Sequence, residues 1–206
     1  MSNPRGRPRG TSGRAAVLTA SQVRQVFKVA RSRGRHAARA EAVLAVSLGL
    51  GLRAKELAAL RWSDVYNGDG DVRAVVHLAA AQTKGGRTRD VFLSSPALRG
   101  VLKRYRQTRL VPGPPRPNAP LFKSQKNGPM TAGSMARFLK TLYGEAGVAG
   151  ASSHSGRRTL ITRLAERGVD LKAIAQIAGH TSIRTTAVYV EANPTRLARI
   201  LQDVTF

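Results

Sequence analysis

Six side chains stand in an order and of a chemistry that suit one reaction, the attack of a phenol on a phosphodiester. They are Arg53 in Gly51-Leu52-Arg53-Ala54-Lys55-Glu56-Leu57, Lys84 in Thr83-Lys84-Gly85-Gly86, His154 and Arg157 in His154-Ser155-Gly156-Arg157, His180 in Ala178-Gly179-His180, and Tyr189. A phosphodiester under attack gathers negative charge on its non-bridging oxygens, and planar guanidinium forks match that geometry. Arg53 and Arg157 are the candidates for such a clamp. One well-placed donor to a developing anion is worth about 2.7–4 kcal/mol, which makes this kind of stabilisation the largest single catalytic term in many enzymes. His154 and Arg157 are three residues apart, so on a helix or its first turn they project to the same side.

The elements that must hold these residues are legible in outline. Thr19-Ala20-Ser21-Gln22 reads as a capping box opening a helix that ends near Gly34. A second helix, His36 to Leu48, carries apolar Val43, Leu44, Val46 and Leu48, stops at Gly49-Leu50-Gly51, and is followed by a short helix from Arg53. Asp71 to Ala80 and Thr88 to Leu93 are the predicted strands, with Gly85-Gly86 punctuating the connection as in a hairpin. Ser94-Ser95-Pro96 opens a helix to about Thr108, with proline in its first position. The stretch 111–120 holds five prolines and is expected as an exposed loop or linker. Leu121-Phe122 reads as a further short strand, and Thr131 caps a helix to Gly144. Helices near 155–167, 170–178 and 182–190 are separated by Gly168 and Gly179. The predicted fold class is mainly α with a small antiparallel β-sheet.

Charge supplies the partner. Lys and Arg number 35 against 11 Asp and Glu, a net charge of +24, which exceeds what solubility needs and implies a polyanion. The length of 206 residues suits one good core, or one core with a small appendage. No run approaches the length of a membrane span and no signal-type apolar core follows the basic N-terminus, so no membrane partner is expected and a cytoplasmic setting is the default. The absence of cysteine excludes disulfides and thiolate metal sites. Residues 1–40 hold ten Lys or Arg and no acid, and 1–17, rich in Gly, Pro and Arg, is expected to be disordered in isolation.

The strings around the six residues resemble the catalytic domain of the tyrosine recombinases of the phage-integrase family. Leu50-Gly51-Leu52-Arg53-Ala54-Lys55-Glu56-Leu57-Ala58-Ala59-Leu60-Arg61-Trp62-Ser63-Asp64 follows the family's first box almost throughout, and Thr159 to Gly168 keeps the cadence that follows its His-x-x-Arg. Gly179-His180-Thr181-Ser182-Ile183-Arg184-Thr185-Thr186-Ala187-Val188-Tyr189 is the most specific string, with the tyrosine nine residues after the histidine as in the family. The match runs from about Ala40 to Tyr189. The resemblance implies that Arg53 and Arg157 clamp the scissile phosphate, that Lys84 protonates the leaving 5′-oxygen, and that His180 donates to a phosphate oxygen. It further implies that His154 helps handle the tyrosine proton and that Tyr189 is the nucleophile, leaving a 3′-phosphotyrosyl link. No ATP, metal or other cofactor is then required. The partners implied are double-stranded DNA carrying a specific recombination site and further copies of the chain, forming a tetramer at synapsis. The function implied is site-specific recombination, as an integrase, resolvase or invertase. A non-cutting DNA-binding regulator and a type IB topoisomerase-like relaxing enzyme are the alternatives on the same scaffold.

Departures matter as well. Ser155-Gly156 stands where the family commonly has an acidic or polar residue and then a hydrophobic one, and a mid-helix glycine costs roughly 1 kcal/mol relative to alanine. Only 52 residues precede Arg53, where family members usually carry an N-terminal core-binding domain. The layout is that of a catalytic-domain-only recombinase from a bacterium, archaeon or phage, working at the nucleoid. In the tail, Pro4-Arg5-Gly6-Arg7-Pro8-Arg9-Gly10 resembles the AT-hook, so Arg5, Arg7 and Arg9 are candidate minor-groove contacts; a generic phosphate-binding tail is the alternative. Arg33 and Arg35 are candidate DNA contacts at a basic helix end. The expected division is a basic tail over 1–17, the catalytic domain over 18–190, and a C-terminal tail over 191–206 that packs between protomers, or back on its own domain.

Overall fold

The computed structural model describes residues 15–83, 86–110 and 113–188. Helix α2, Ala37–Leu50, is the member around which the others gather. Ala40, Ala42, Val43, Leu44, Ala45, Val46 and Leu50 are all buried, and a helix apolar on every side must be enclosed. Helices α1 (Ala20–Arg31), α5 (Pro96–Gln107) and α7 (Ser155–Glu166) enclose it, while α3 (Ala54–Ala59) packs on α6 (Ala132–Glu145). The caps are those the sequence predicts. Thr19 Oγ1 accepts the Gln22 N–H at 3.2 Å while Gln22 Oε1 accepts the Thr19 N–H at 2.9 Å. Ser95 caps α5 ahead of Pro96, and Thr131 caps α6.

Strands β1 (Val75–Leu78) and β2 (Arg89–Phe92) pair antiparallel, with Val75 opposite Phe92 and Leu78 opposite Arg89. Val76, Leu78 and Val91 face the core, and His77 meets Asp90 on the exposed face at 2.6 Å. β1 is shorter than expected at both ends. Val72 pairs only with Tyr66 in an isolated bridge, and Ala80–Gln82 winds into a 3₁₀ turn. The two strands nonetheless pair antiparallel as the expected hairpin does, with the 3₁₀ turn following β1.

One further segment differs from expectation. Leu121 and Phe122 form no strand: the Leu121 N–H bonds to the Leu60 carbonyl at 2.8 Å, Pro120 forms one isolated bridge with Arg61, and both side chains are sealed in the core. Burial, not pairing, explains their apolar character. The short helix expected from Arg53 is α3, with Arg53 as its N-cap. Leu60 is extended, and a separate turn, α4 (Trp62–Val65), starts where Asp64 Oδ2 accepts the Arg61 N–H at 2.8 Å. A smaller apolar cluster of Ile161, Ala165, Ile174 and Ala178 joins α7 to α8 (Leu171–Ala178), and α9 (Ile183–Ala187) follows. Among the described residues no helix is long and apolar enough to cross a membrane.

The glycine in His154-Ser155-Gly156-Arg157 has a packing cause. A Cβ at Gly156 would collide with Ser47 Oγ and sit 3.0 Å from the Ser47 carbonyl oxygen, so α7 can lie this close to α2 only without a side chain there. Gly156→Ala should gain up to about 1 kcal/mol of helix propensity and lose about 1–3 kcal/mol to overpacking. The expected outcome is a lower denaturant midpoint, partly recovered in the Gly156→Ala, Ser47→Gly double variant. A midpoint that rises would mean that α7 shifts without cost.

Candidate active site

Arg53 sits at the N-cap of α3, and the first turn of that helix carries its partner. Glu56, with no exposed surface, accepts the Arg53 N–H at Oε2 (2.8 Å) and the Arg53 Nη1 at Oε1 (3.0 Å). The backbone contact is half of a capping box, and the side-chain contact fixes the direction of the guanidinium. Oε2 also accepts Nη2 of Arg89 from β2 at 2.8 Å, while Arg89 Nη1 reaches the Ile177 carbonyl at the end of α8, 2.9 Å away. One buried carboxylate thus ties α3, β2 and, through Arg89, the end of α8.

Arg157 enters from the other side. It is 4 % exposed and donates Nη1 to the Gly51 carbonyl at 3.0 Å and Nη2 to the Ala178 carbonyl, joining the ends of α2 and α8. Gly179 then ends α8 in the left-handed region at φ 63°, with the Arg89 side chain packed where a Cβ would be. That sharp stop brings in His180, whose Nδ1 lies 2.8 Å from the hydroxyl of Thr186 on α9. Arg53 Nη2 makes a long contact of 3.5 Å with the Gly179 carbonyl. The result is a small pocket of about 120 Å³ lined by Arg53, Arg89 and His180 together with Thr83, Arg87 and Thr181.

Two of the three guanidiniums here, those of Arg53 and Arg89, share the Glu56 carboxylate, while Arg157 bonds to main-chain carbonyls, so the arginines outnumber the carboxylate. His180 registers it. Burial, and then Arg157, Arg53 and Arg89 in that order, push its pKa down from 6.5 to about 4, which keeps the imidazole neutral at physiological pH. The contact with Thr186 sets the ring's orientation, and in the tautomer in which Nδ1 accepts from that hydroxyl the ring proton sits on Nε2.

Of the six residues singled out in the sequence, Arg53, Arg157 and His180 are brought together. His154 lies exposed at the N-cap of α7, one turn ahead of Arg157, and is not among the residues lining the pocket. Lys84 and Tyr189 lie outside the described residues, as do Arg5, Arg7 and Arg9. Thr83, the residue before Lys84, is firmly held, however. Thr83 Oγ1 donates to the carbonyls of Ala80 and Arg87, at 3.1 and 2.7 Å, and Lys55 Nζ donates to the Thr83 carbonyl at 3.0 Å. Arg33 is engaged by Glu145 and lies over the Phe138 ring, whereas Arg35 is exposed. Glu56, Arg89 and Thr186 are not among the residues that the sequence singles out for the site. The sole sequence signal for Glu56 is its place in the first turn behind Arg53.

The phage integrase family domain matches residues 16–196. This chain belongs to that family. Its relatives include proteins named Tyrosine recombinase XerC from Methylobacterium nodulans, 34 % identical over 161 residues covering 78 % of this chain and 47 % of the relative, and from Mesorhizobium japonicum, 32 % identical over 200 residues covering 95 % and 61 %. The chain thus spans about half to three-fifths of the length of these relatives. Among solved structures it shares its fold with the XerA recombinase (TM-score 0.71, 23 % identity, 99 % of this chain and 68 % of that one). The Tn1549 transposon integrase in complex with transposon right end DNA is similarly close (TM-score 0.69, 21 % identity, 92 % and 66 %). In this fold Arg53, Arg157 and His180 meet where α2, α3, α7 and α8 end or begin.

The electrostatics of His180 can be measured. Its NMR titration midpoint should fall near 4, and Arg89→Gln should raise it by removing one of the cations that depress it. The unfolded chain binds this proton below about pH 6.5 but the folded chain only below about 4. The contribution of His180 to stability is therefore complete above pH 6.5 and is lost as pH falls through 4. A midpoint at or above 6.5 would mean that the imidazole does not feel the three arginines.

Proposed function

We propose that the chain is a site-specific DNA recombinase that cuts and rejoins strands through a 3′-phosphotyrosyl intermediate. The observation that carries this reading is the gathering of Arg53, Arg157 and a neutral His180: Arg53 and His180 line one small pocket, Arg157 stands close enough behind it to depress the His180 pKa, and Tyr189 follows nine residues beyond His180. In the reaction, the Tyr189 phenol oxygen attacks the scissile phosphorus and the bond from phosphorus to the 5′-oxygen breaks. Lys84 protonates that oxygen, and His154 takes part in removing the phenol proton. Arg53 and Arg157, helped by the Nε2 proton of His180, hold the non-bridging oxygens as charge develops. A 5′-hydroxyl of a partner strand then attacks the phosphotyrosine and releases Tyr189, so phosphodiester bond energy is conserved and no cofactor is consumed. Strand exchange of this kind needs four protomers on two duplexes, with the tail over 191–206 as a candidate coupler between them and the tail over 1–17 as a further DNA contact. The cytoplasm and its nucleoid are the corresponding setting.

Suicide DNA substrates carrying the attachment site should yield a denaturant-resistant protein–DNA adduct, and Tyr189→Phe should abolish it while leaving DNA binding nearly intact. An adduct that survives this substitution would move the nucleophile elsewhere, and a wild-type protein that binds but never cuts would favour the regulator. Arg53→Ala and Arg157→Ala should each slow cleavage by about 10²–10³, with a much smaller loss of non-covalent affinity because that energy is spread over many phosphates. The defect of Lys84→Ala should be relieved by a 5′-bridging phosphorothiolate, whose leaving group needs no proton.

A further inference from the structure

The pocket of about 120 Å³ beside His180 has one cation on its wall that the reaction above leaves unused. Its charged lining is Arg53, Arg87 and Arg89 against Glu56 alone. Glu56 is already engaged at both oxygens: Oε1 accepts Arg53 Nη1, and Oε2 accepts the Arg53 N–H and Arg89 Nη2. Arg53 and Arg89 are thus fasteners as well as cations. Arg87 is different. Among the described residues no carboxylate pairs with it, and it is exposed while still lining the pocket.

The main chain of Arg87 is held even though its guanidinium is not. The buried Thr83 donates Oγ1 to the Arg87 carbonyl at 2.7 Å, and Lys55 Nζ, from α3, grips the Thr83 carbonyl at 3.0 Å. Two residues further on, Arg89 is bound to Glu56 and to the Ile177 carbonyl. Arg87 therefore stands between two anchors, and only its own side chain has to be ordered when an anion arrives. Its neighbours on the wall include the hydroxyl residues Thr83, Thr88 and Thr181. A long cation on a fixed base beside neutral hydrogen-bonding groups and a second arginine suits a tetrahedral oxyanion.

We propose that Arg87 is a further catalytic residue, whose guanidinium donates, alongside Arg53, to a non-bridging oxygen of the phosphoryl group seated in this pocket; the proposal rests on the strand-transfer reading above. A phosphodiester carries one negative charge, and attack by the Tyr189 oxygen, stripped of its proton, adds a second before the 5′-oxygen leaves. Cations beyond those that Glu56 offsets suit the more highly charged state better than the substrate. The Arg87 contact accordingly strengthens as charge develops, which is the condition for raising the rate rather than the affinity alone. Arg87 moves no proton. The bond formed, from the Tyr189 oxygen to phosphorus, and the bond broken, from phosphorus to the 5′-oxygen, remain those given above.

Two measurements on the full chain test it. In single-turnover cleavage of a suicide substrate at saturating protein, Arg87→Ala should be about 10- to 100-fold slower, the range for one hydrogen bond to a charged group. Arg24→Ala, which removes the same charge from an exposed position on α1, should cleave like the wild type. On a scissile methylphosphonate, where a methyl replaces one non-bridging oxygen and less charge develops, the Arg87→Ala defect should shrink. The second measurement needs no cleavage: orthophosphate, followed through the His180 NMR resonance, should bind about tenfold more weakly to Arg87→Ala. An Arg87→Ala protein that melts like the wild type and keeps its saturating rate overturns the proposal. So does a loss of equal size on the methylphosphonate, or one shared by Arg24→Ala, since either would make Arg87 an ordinary surface charge. If Arg53→Ala is slow and Arg87→Ala is not, the strand-transfer reading stands and the proposal falls. If the wild type forms no adduct, that reading falls, and phosphate binding unaltered in Arg87→Ala would overturn the Arg87 contact separately.

Discussion

Glu56 carries its charge where water does not reach, and a carboxylate in that position is tolerable only when its partners are already in place. Both of its oxygens are occupied, Oε1 by the Arg53 guanidinium and Oε2 by the Arg53 N–H and by Arg89. Removing one member of a buried pair generally costs about 3–5 kcal/mol, so the register of α3 against β2 is effectively locked. The lock propagates. Arg89 holds Ile177, its side chain fills the space beside Gly179, and Gly179 turns the chain so that His180 faces Arg53. One acid therefore orients a catalytic-type arginine, fixes the strand that follows Lys84, and places the histidine.

The same economy explains why the site is electropositive. Arg157 is held by two main-chain carbonyls at helix ends, which bear only partial negative charge, so these contacts fix its guanidinium without cancelling its charge. The depressed pKa of His180 registers Arg157, Arg53 and Arg89 together, although burial is its first cause. A fold that fixes several cations around one carboxylate is arranged to meet an anion. Because the donors are already held by helix ends and the Glu56 carboxylate, little reorganisation accompanies the arrival of charge, which is the condition under which electrostatic stabilisation is most effective.

Much of the fold was legible because its signals are local. Thr19, Ser95 and Thr131 each cap a helix through a bond spanning three residues, and any reader of side-chain chemistry finds them. The family strings single out Arg53 and His180, but nothing in their spacing says that these residues, 127 positions apart, line one pocket. What was not legible depends on long-range contact. The helical penalty of Gly156 is visible in the sequence, but its compensation, close approach to Ser47, is a property of two packed helices. Arg89 looks like one more basic residue in a basic arm until β2 lays it against Glu56. Leu121 and Phe122 have strand composition, yet the core takes them as buried loop residues because the chain there is needed to cross α4 rather than to extend a sheet.

The large positive charge can also be sorted by what answers each cation. Where a carboxylate answers, as Glu41 does for Arg31 and Arg104 or Glu145 for Arg33, the arginine is a fastener and its field is cancelled within a few ångströms. Where a carbonyl or hydroxyl answers, as for Arg39, Arg73, Arg99 and Arg109, the contact fixes the geometry and, bearing only partial charge, leaves more of the field in place. Such contacts run from Arg39 on α2 to Arg99 in α5 and Arg109 just beyond it. Interiors packed as closely as that around α2 deform little. Cations held this way are positioned by the fold before any anion arrives, so a polyanion meets a positive field that needs little reorganisation to receive it.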